Sequence, residues 1–81
     1  MRIRVHVTPR QGVLDPQGKA VAGGLRSLGF EEVGLVRVGR VIDVTVSGLT
    51  AEQALERGRA MGQQLLANEV VEDFDVHVIE D

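Results

Sequence analysis

Cysteine, tryptophan and tyrosine are absent from this 81-residue chain, which has two aromatic residues, Phe30 and Phe74. Without cysteine there can be no disulfide, no thiolate metal ligand and no cysteine nucleophile. Without more aromatic residues the chain lacks the platforms on which small sheet domains stack RNA bases. Lysine and arginine number 9 against 12 acidic residues, and the resulting net charge of −3 argues against a nucleic-acid partner.

Long apolar runs are missing as well. No stretch approaches the roughly 18–20 apolar residues of a membrane span, so no membrane partner is expected. The charged first strand leaves no room for an apolar leader, and the lack of cysteine suits a reducing compartment. We therefore expect a cytoplasmic protein.

The chain is long enough for one domain, residues 1–81, and too short for two. A domain of this size buries only about 60–65% of its unfolded surface, so its core alone is marginal. Because disulfides are excluded, association with other chains is the remaining means of stabilisation.

Two helices have clear boundary signals. Asp15 followed by Pro16 is typical of a helix start, and Gly29 followed by Phe30 of a helix end. Thr50 predicts a second start, since Thr50-Ala51-Glu52-Gln53 has the pattern of a capping box. This second helix is expected to continue through Leu65, with Asn68 as its C′ residue.

Four strands are predicted around these helices. Residues 3–7 and 74–79 alternate apolar and polar side chains, which indicates half-buried strands. Residues 33–38 and 41–47 are rich in β-branched side chains, and Gly39-Arg40 between them suits a two-residue type II′ turn. In that register Leu35, with Val33, Ile42, Val44 and Val46, faces the core.

The predicted order β-α-β-β-α-β gives an α+β, two-layer sandwich, in which a four-stranded antiparallel sheet carries two helices on one face. This is the ferredoxin-like arrangement. Its open face would expose a valine patch, which needs a cover. We predict a homo-oligomer, a dimer or a tetramer, through Val36, Val38, Val41, His6 and Ile79. The alternative is a monomer with scattered surface valines.

Catalytic signals are lacking. His6 and His77 are fewer ligands than zinc requires, so we predict no metal site and assign them to the surface or the interface. Gly12 and Gly18 are separated by five residues and Ala20 follows Lys19, so the phosphate-loop pattern fails. No dinucleotide fingerprint or serine elbow is present. No catalytic and no cofactor-binding residue is predicted, and the acids near the carboxyl end are interpreted as solubilising charge.

An ordered set of short motifs nevertheless resembles one family along the whole chain. The set comprises Val13-Leu14-Asp15-Pro16-Gln17-Gly18-Lys19-Ala20-Val21, Leu28-Gly29-Phe30, Val36-Arg37-Val38-Gly39-Arg40, Leu65-Leu66-Ala67-Asn68 and Val71-Glu72-Asp73-Phe74. In this order the motifs are similar to those of PurS, the small subunit of phosphoribosylformylglycinamidine synthase.

The resemblance implies a non-catalytic subunit in the fourth step of de novo purine synthesis. It implies dimers that bridge a glutaminase subunit, which releases ammonia, and a synthetase subunit, which consumes it. The complex would use ATP, Mg and glutamine, with no cofactor held by this chain. We predict contacts with the large subunits at Arg10, Asp15, Gln17, Lys19, Arg37 and Arg40.

Two other interpretations remain. Similar sandwiches act as ligand-sensing regulatory modules that bind amino acids at a dimer interface, and Gly12, Asp15 and Gly18 could form such a loop. The chain could also be an interaction domain of some other complex.

Overall fold

The structure, a computed structural model, describes residues 1–10 and 15–79. It contains β1 (Arg2–Pro9), α1 (Pro16–Ser27), β2 (Arg40–Thr45), α2 (Ala51–Met61), one π-helical turn (Gly62–Leu66) and β3 (Glu72–Ile79). Across the described ranges, no helix has the length and apolar character needed to cross a bilayer.

The sheet has three antiparallel strands in the order β2-β1-β3. Its central strand supplies the core, because Ile3, Val5 and Val7 are fully buried on one face while the residues between them point to the other. The predicted first and last strands and the alternation within β1 are therefore confirmed.

The predicted fourth strand over 33–38 does not form, and the ferredoxin-like detail is corrected accordingly. Residues 33–39 lie outside the sheet, and Arg40 opens β2 opposite Val7 instead of turning a hairpin. The segment is tied to α1. The Val38 amide donates to Asp15 Oδ2 at 2.9 Å, and the Arg26 guanidinium donates to the carbonyls of Val33 and Gly34 at 3.0 and 3.1 Å.

The predicted assignment of side chains to the two sheet faces is correct within β2 and wrong for residues 33–38, which precede it. Ile42 is half-buried against the core and Val44 is half-buried on the same face, whereas Val41 and Asp43 are exposed on the other face. Leu35 was expected beside them in the core but is 80% exposed. The predicted register depended on a hairpin at Gly39-Arg40. In the structure, hydrogen bonds to α1 hold the segment 33–38 away from the sheet instead.

One helix, α2, packs across the sheet. Ala54 is fully buried there, and Gly58 allows close approach. A Cβ at position 58 would lie 2.5 Å from Val76 Cγ1 and 2.9 Å from Ile3 Cγ2. Small residues on the inner face of α2 therefore set the distance between the helix and the strands.

The other helix, α1, is not layered on the sheet, which corrects the prediction of two helices on one face. It buries only Gly18 and Ala22, and Leu28 of its apolar stripe is 77% exposed. The chain is correspondingly extended, with a radius of gyration of 15.9 Å and dimensions of 49 × 29 × 14 Å. A compact domain of this length would have a radius of about 12 Å.

Three of the four predicted helix ends are confirmed in detail. Asp15 caps α1 with Pro16 in the first position, and the capping box of Thr50 and Gln53 starts α2. Gly29 has a φ of +103° and completes a Schellman motif, in which the Phe30 amide donates to the Leu25 carbonyl at 3.1 Å.

The end of α2 differs from prediction. The helix widens into the π turn, where the Ala67 amide donates to the Gly62 carbonyl at 3.0 Å. Asn68 directly follows the C-cap residue Ala67, which is the predicted C′ position, but its φ is not positive. Its amide donates to Glu72 Oε1 at 2.8 Å, so a carboxylate on β3 forms a hydrogen bond with the backbone just after the helix.

Candidate functional site

A shallow cleft of about 300 Å³ opens at the end of the sheet where β1 stops and β2 and β3 start. Three residues predicted to contact large subunits, Asp15, Gln17 and Arg40, line it together with Glu72. Residues far apart in sequence meet here because β1 runs antiparallel to both of its neighbours.

Asp15 is the link between α1 and the rest of this end. One carboxylate oxygen accepts from the Gly18 amide at 2.9 Å and the other from the Val38 amide. The hydrogen bond from Val38, followed by that from Gly18, holds the pKa of Asp15 below its usual value. The charged form is thus used to fix the loop against the helix start.

Arg40 forms an ion pair and a hydrogen bond within the chain. Its guanidinium contacts Glu72 through two bonds, Nη1 to Oε2 at 2.6 Å and Nη2 to Oε1 at 3.0 Å, and also donates to the Leu66 carbonyl at 2.7 Å. The bond from Arg40, and then that from the Asn68 amide, lowers the pKa of Glu72. This tie joins β2, the π turn and β3.

Sequence reasoning missed Glu72 as the partner of Arg40. The acid was grouped with the solubilising charges, and nothing local singles it out because 32 residues separate the pair. Its side chain is only 17% exposed, against 49% for Arg40, which distinguishes it from a solvated surface acid.

The remaining predicted contact residues do not line this cleft. Arg10 forms an ion pair with Asp73 at 3.1 Å and donates to the carbonyl of Glu72, a residue of the cleft, at 3.4 Å. Arg37 is exposed and near enough to Asp15 to help lower its pKa. Lys19 lies farther along, on a second cleft of about 500 Å³ between α1 and the 33–39 segment. Their role as contacts stays a prediction.

The predicted oligomer surface is divided by the structure. His6, Val41 and Ile79 lie on the open sheet face, and Val41 is 58% exposed. Val36 and Val38 are not on that face. They are half-buried beside α1, where the Val36 carbonyl is so close to Gly18 that a Cβ at position 18 would overlap it.

The loop proposed for a ligand sensor is partly engaged. Gly12 lies outside the described residues, so nothing is stated of its position. The Gly18 amide donates to Asp15, and both carboxylate oxygens of Asp15 accept backbone amides. These two residues are therefore occupied with each other and with Val38.

The fold and its surfaces define a class of small α+β chains. One part, the sheet with α2, has its own core, whereas the other part, α1 with residues 33–39, is largely uncovered and suited to association. The family is found by comparison. The model described as "PurS: Phosphoribosylformylglycinamidine (FGAM) synthase" matches residues 2–80, and the chain belongs to the PurS family.

Individual relatives agree. The chain is similar to phosphoribosylformylglycinamidine synthase subunit PurS of Synechocystis, with 42% identity over 71 residues, 88% of this chain and 71% of that one. It is 36% identical to the same subunit of Bacillus subtilis over 80 residues, 98% of this chain and 93% of that one.

A solved structure is similar throughout. The crystal structure of Methanocaldococcus jannaschii PurS superimposes with a TM-score of 0.85 at 30% identity, covering 99% of this chain and 96% of that one. That protein is described as one of the subunits of formylglycinamide ribonucleotide amidotransferase in the purine biosynthetic pathway. The family expected from the ordered motifs is thus confirmed, and the sensor alternative is not favoured.

Proposed function

We propose that this chain is the small, non-catalytic subunit of a phosphoribosylformylglycinamidine synthase complex in de novo purine biosynthesis. It bridges the synthetase and glutaminase subunits and so supports the transfer of ammonia between them. The complex, acting in the cytoplasm, uses ATP, Mg and glutamine, none of which this chain binds by itself.

The observation that carries the proposal is the match to the PurS family over residues 2–80. The surfaces agree with a role in association. Leu28 and Leu35 are 77% and 80% exposed, on α1 and on the segment tied to it. Apolar side chains so exposed in so small a chain are expected to be covered by other subunits.

We propose that a second copy provides part of this cover, as a dimer or a tetramer. The half containing α1 and residues 33–39 is the first candidate surface, and the open sheet face with Val41 is the second. Within the oligomer, residues 33–38, which include Val33, Val36 and Val38, then pair as the fourth strand that the sequence predicts.

Two charge substitutions separate these surfaces. Val38→Glu places a charge beside α1, and Val41→Glu places one on the open sheet face. Loss of association in the first variant alone assigns the oligomer to the α1 side, and loss in the second alone assigns it to the sheet. Solution mass in both cases is measured alongside circular dichroism to confirm that the variants fold.

Contacts with the large subunits are proposed at Arg10, Asp15, Gln17, Lys19, Arg37 and Arg40. Arg37→Glu is the sharper test, because Arg40→Glu would also set an acid against Glu72 and disturb the fold. The matched control is Arg57→Glu on the exposed side of α2. The placement is supported if Arg37→Glu co-elutes less with the large subunits while Arg57→Glu co-elutes as the wild type does. It is contradicted if Arg37→Glu co-elutes as well as the wild type.

The function itself is tested by reconstitution. Synthetase and glutaminase subunits from the same organism are assayed with glutamine or with added ammonia, each with and without this chain. We expect glutamine-dependent turnover and co-elution only when the chain is present, while added ammonia supports turnover without it. Equal glutamine-dependent turnover without the chain would overturn the proposal.

A further inference from the structure

Three metal-ligating side chains meet on the open face of the sheet. In the register between β1 and β3, His6 is opposite Asp75, and His77 lies two residues farther along the same face of β3. One ligand atom from each of the three lies within 4.8 Å of the other two. The ring centroids of His6 and His77 are 5.4 Å apart.

The separations suit a small tetrahedral site. Asp75 Oδ1 lies 3.0 Å from His77 Nε2 and 3.7 Å from His6 Nδ1. Ligand atoms about 2.0–2.1 Å from a tetrahedral zinc ion are themselves about 3.3 Å apart. The two distances to Asp75 bracket that value, and the ligand atoms of His6 and His77 lie within 4.8 Å of each other. Side-chain rotations that draw the two imidazoles together would therefore place three ligands around one ion.

The composition of the cluster also points to a metal. Two imidazoles and one carboxylate form a set that binds borderline divalent ions, with a further position left for water. The sheet holds all three ligands on two hydrogen-bonded strands. The spacing of backbone positions is therefore fixed before an ion arrives, which reduces the ordering needed on binding.

The neighbouring charges do not oppose a cation. Arg4, which is opposite His77, is already neutralised by Asp43 on β2 through two bonds at 2.8 and 3.0 Å. Opposite His6 on its other side is Val41, which offers no competing donor. Arg2, which is also on this face, is opposite Ile79 and so lies farther from Asp75 than Arg4 does.

From this geometry we propose that His6, Asp75 and His77 form a binding site for a divalent zinc-like ion. Two histidines alone were too few in the sequence, and the third ligand was hidden among acids interpreted as solubilising charge. The site uses residues separate from the cleft around Asp15 and Arg40. It does not depend on the proposed role in the synthase complex.

The test is a zinc titration of the full, untagged chain by isothermal calorimetry, followed by cobalt substitution with its visible absorption. Variants are His6→Gln, His77→Gln and Asp75→Asn. Asp73→Asn is the matched control, since Asp73 is an exposed acid on the same face of β3, two residues away from Asp75. All four positions are on the surface, so circular dichroism should be unchanged.

We expect one zinc ion per chain, with affinity weakened by about tenfold or more in each ligand variant and retained in Asp73→Asn. Cobalt should give the intense absorption of a low-coordinate site in the wild type and lose it in His77→Gln. The proposal is overturned if saturable zinc binding is absent, or if the three ligand variants bind as tightly as the wild type.

Discussion

The two halves of the molecule solve the problem of a small core in different ways. The sheet with α2 buries Ile3, Val5 and Val7 completely and closes over them with Ala54 and Gly58. The half formed by α1 and residues 33–39 buries almost nothing but Gly18 and Ala22. An amphipathic helix therefore predicts an apolar face without specifying which surface covers it.

What joins the two halves is polar. Asp15 holds Val38, and Arg26 holds the carbonyls of Val33 and Gly34, so the outer half is ordered by hydrogen bonds more than by packing. Such bonds fix geometry at modest net stability. The outer half can therefore present a defined surface while leaving its leucines for a partner.

The largest contrast is expected from core truncation. Ile3→Ala should lower the free energy of unfolding by about 2–5 kcal/mol, because it leaves a cavity under α2. Leu28→Ala should change it by less than about 0.5 kcal/mol, because the side chain is exposed within its own chain. Urea unfolding of both variants at the same low protein concentration measures the two changes in the free energy of unfolding. Equal changes would show that the two halves do not differ in how much of the stability their apolar side chains supply.

Glycine substitutions sharpen the same contrast at smaller magnitude. Gly58→Ala should destabilise by about 1–3 kcal/mol, since its methyl group meets Val76 and Ile3. Gly23→Ala, with no atom within 4 Å of the added carbon, should stabilise α1 by about 0.5–1 kcal/mol. Thermal unfolding gives both signs, and destabilisation by Gly23→Ala would mean that α1 is packed more closely than the structure shows.

Low pH should weaken the hydrogen bonds of the Asp15 and Glu72 carboxylates without a direct effect on the apolar core. The pKa values of Glu72 and Asp15 are lowered in the folded chain, so their charged forms contribute stability above the unfolded values. That contribution is lost as the pH falls from about 4 downward through the folded pKa values.

Glu72→Gln checks the acid effect. Between about pH 7 and pH 3 the variant should lose less stability than the wild type, because one depressed carboxyl has been removed. Glu56→Gln, on the exposed side of α2, serves as the control. Identical acid losses in the wild type and Glu72→Gln would show that the tie to Arg40 contributes no measurable stability.

Local features of the chain were predictable and distant ones were not. The caps at Asp15, Gly29 and Thr50 depend on neighbours within a few residues, so the sequence contains their whole cause. The bond from Val38 to Asp15 and the pair of Arg40 with Glu72 span 23 and 32 residues. No local pattern encodes such partners, and the first of them lies in the segment where the predicted fourth strand is absent.

The site followed the same rule. Asp15, Gln17 and Arg40 were named as contact residues before the cleft was known, and that role stays a prediction, whereas Asp75 was not distinguished from the other acids until β1 and β3 were in register. The two valines assigned to the open face were misplaced with their strand. The errors on the sheet came from long-range pairing, whereas the different end of α2 came from the local π turn over Gly62–Leu66.

We propose that the outer half of this chain, α1 with residues 33–39, is completed by a second copy, and solution mass is the most direct test. Light scattering should give the wild type a multiple of the chain mass of 8.8 kDa. The double variant Leu28→Glu/Leu35→Glu should fall to 8.8 kDa while keeping its circular dichroism. A wild type that stays at the single-chain mass, or a double variant that keeps the wild-type multiple, would contradict the account.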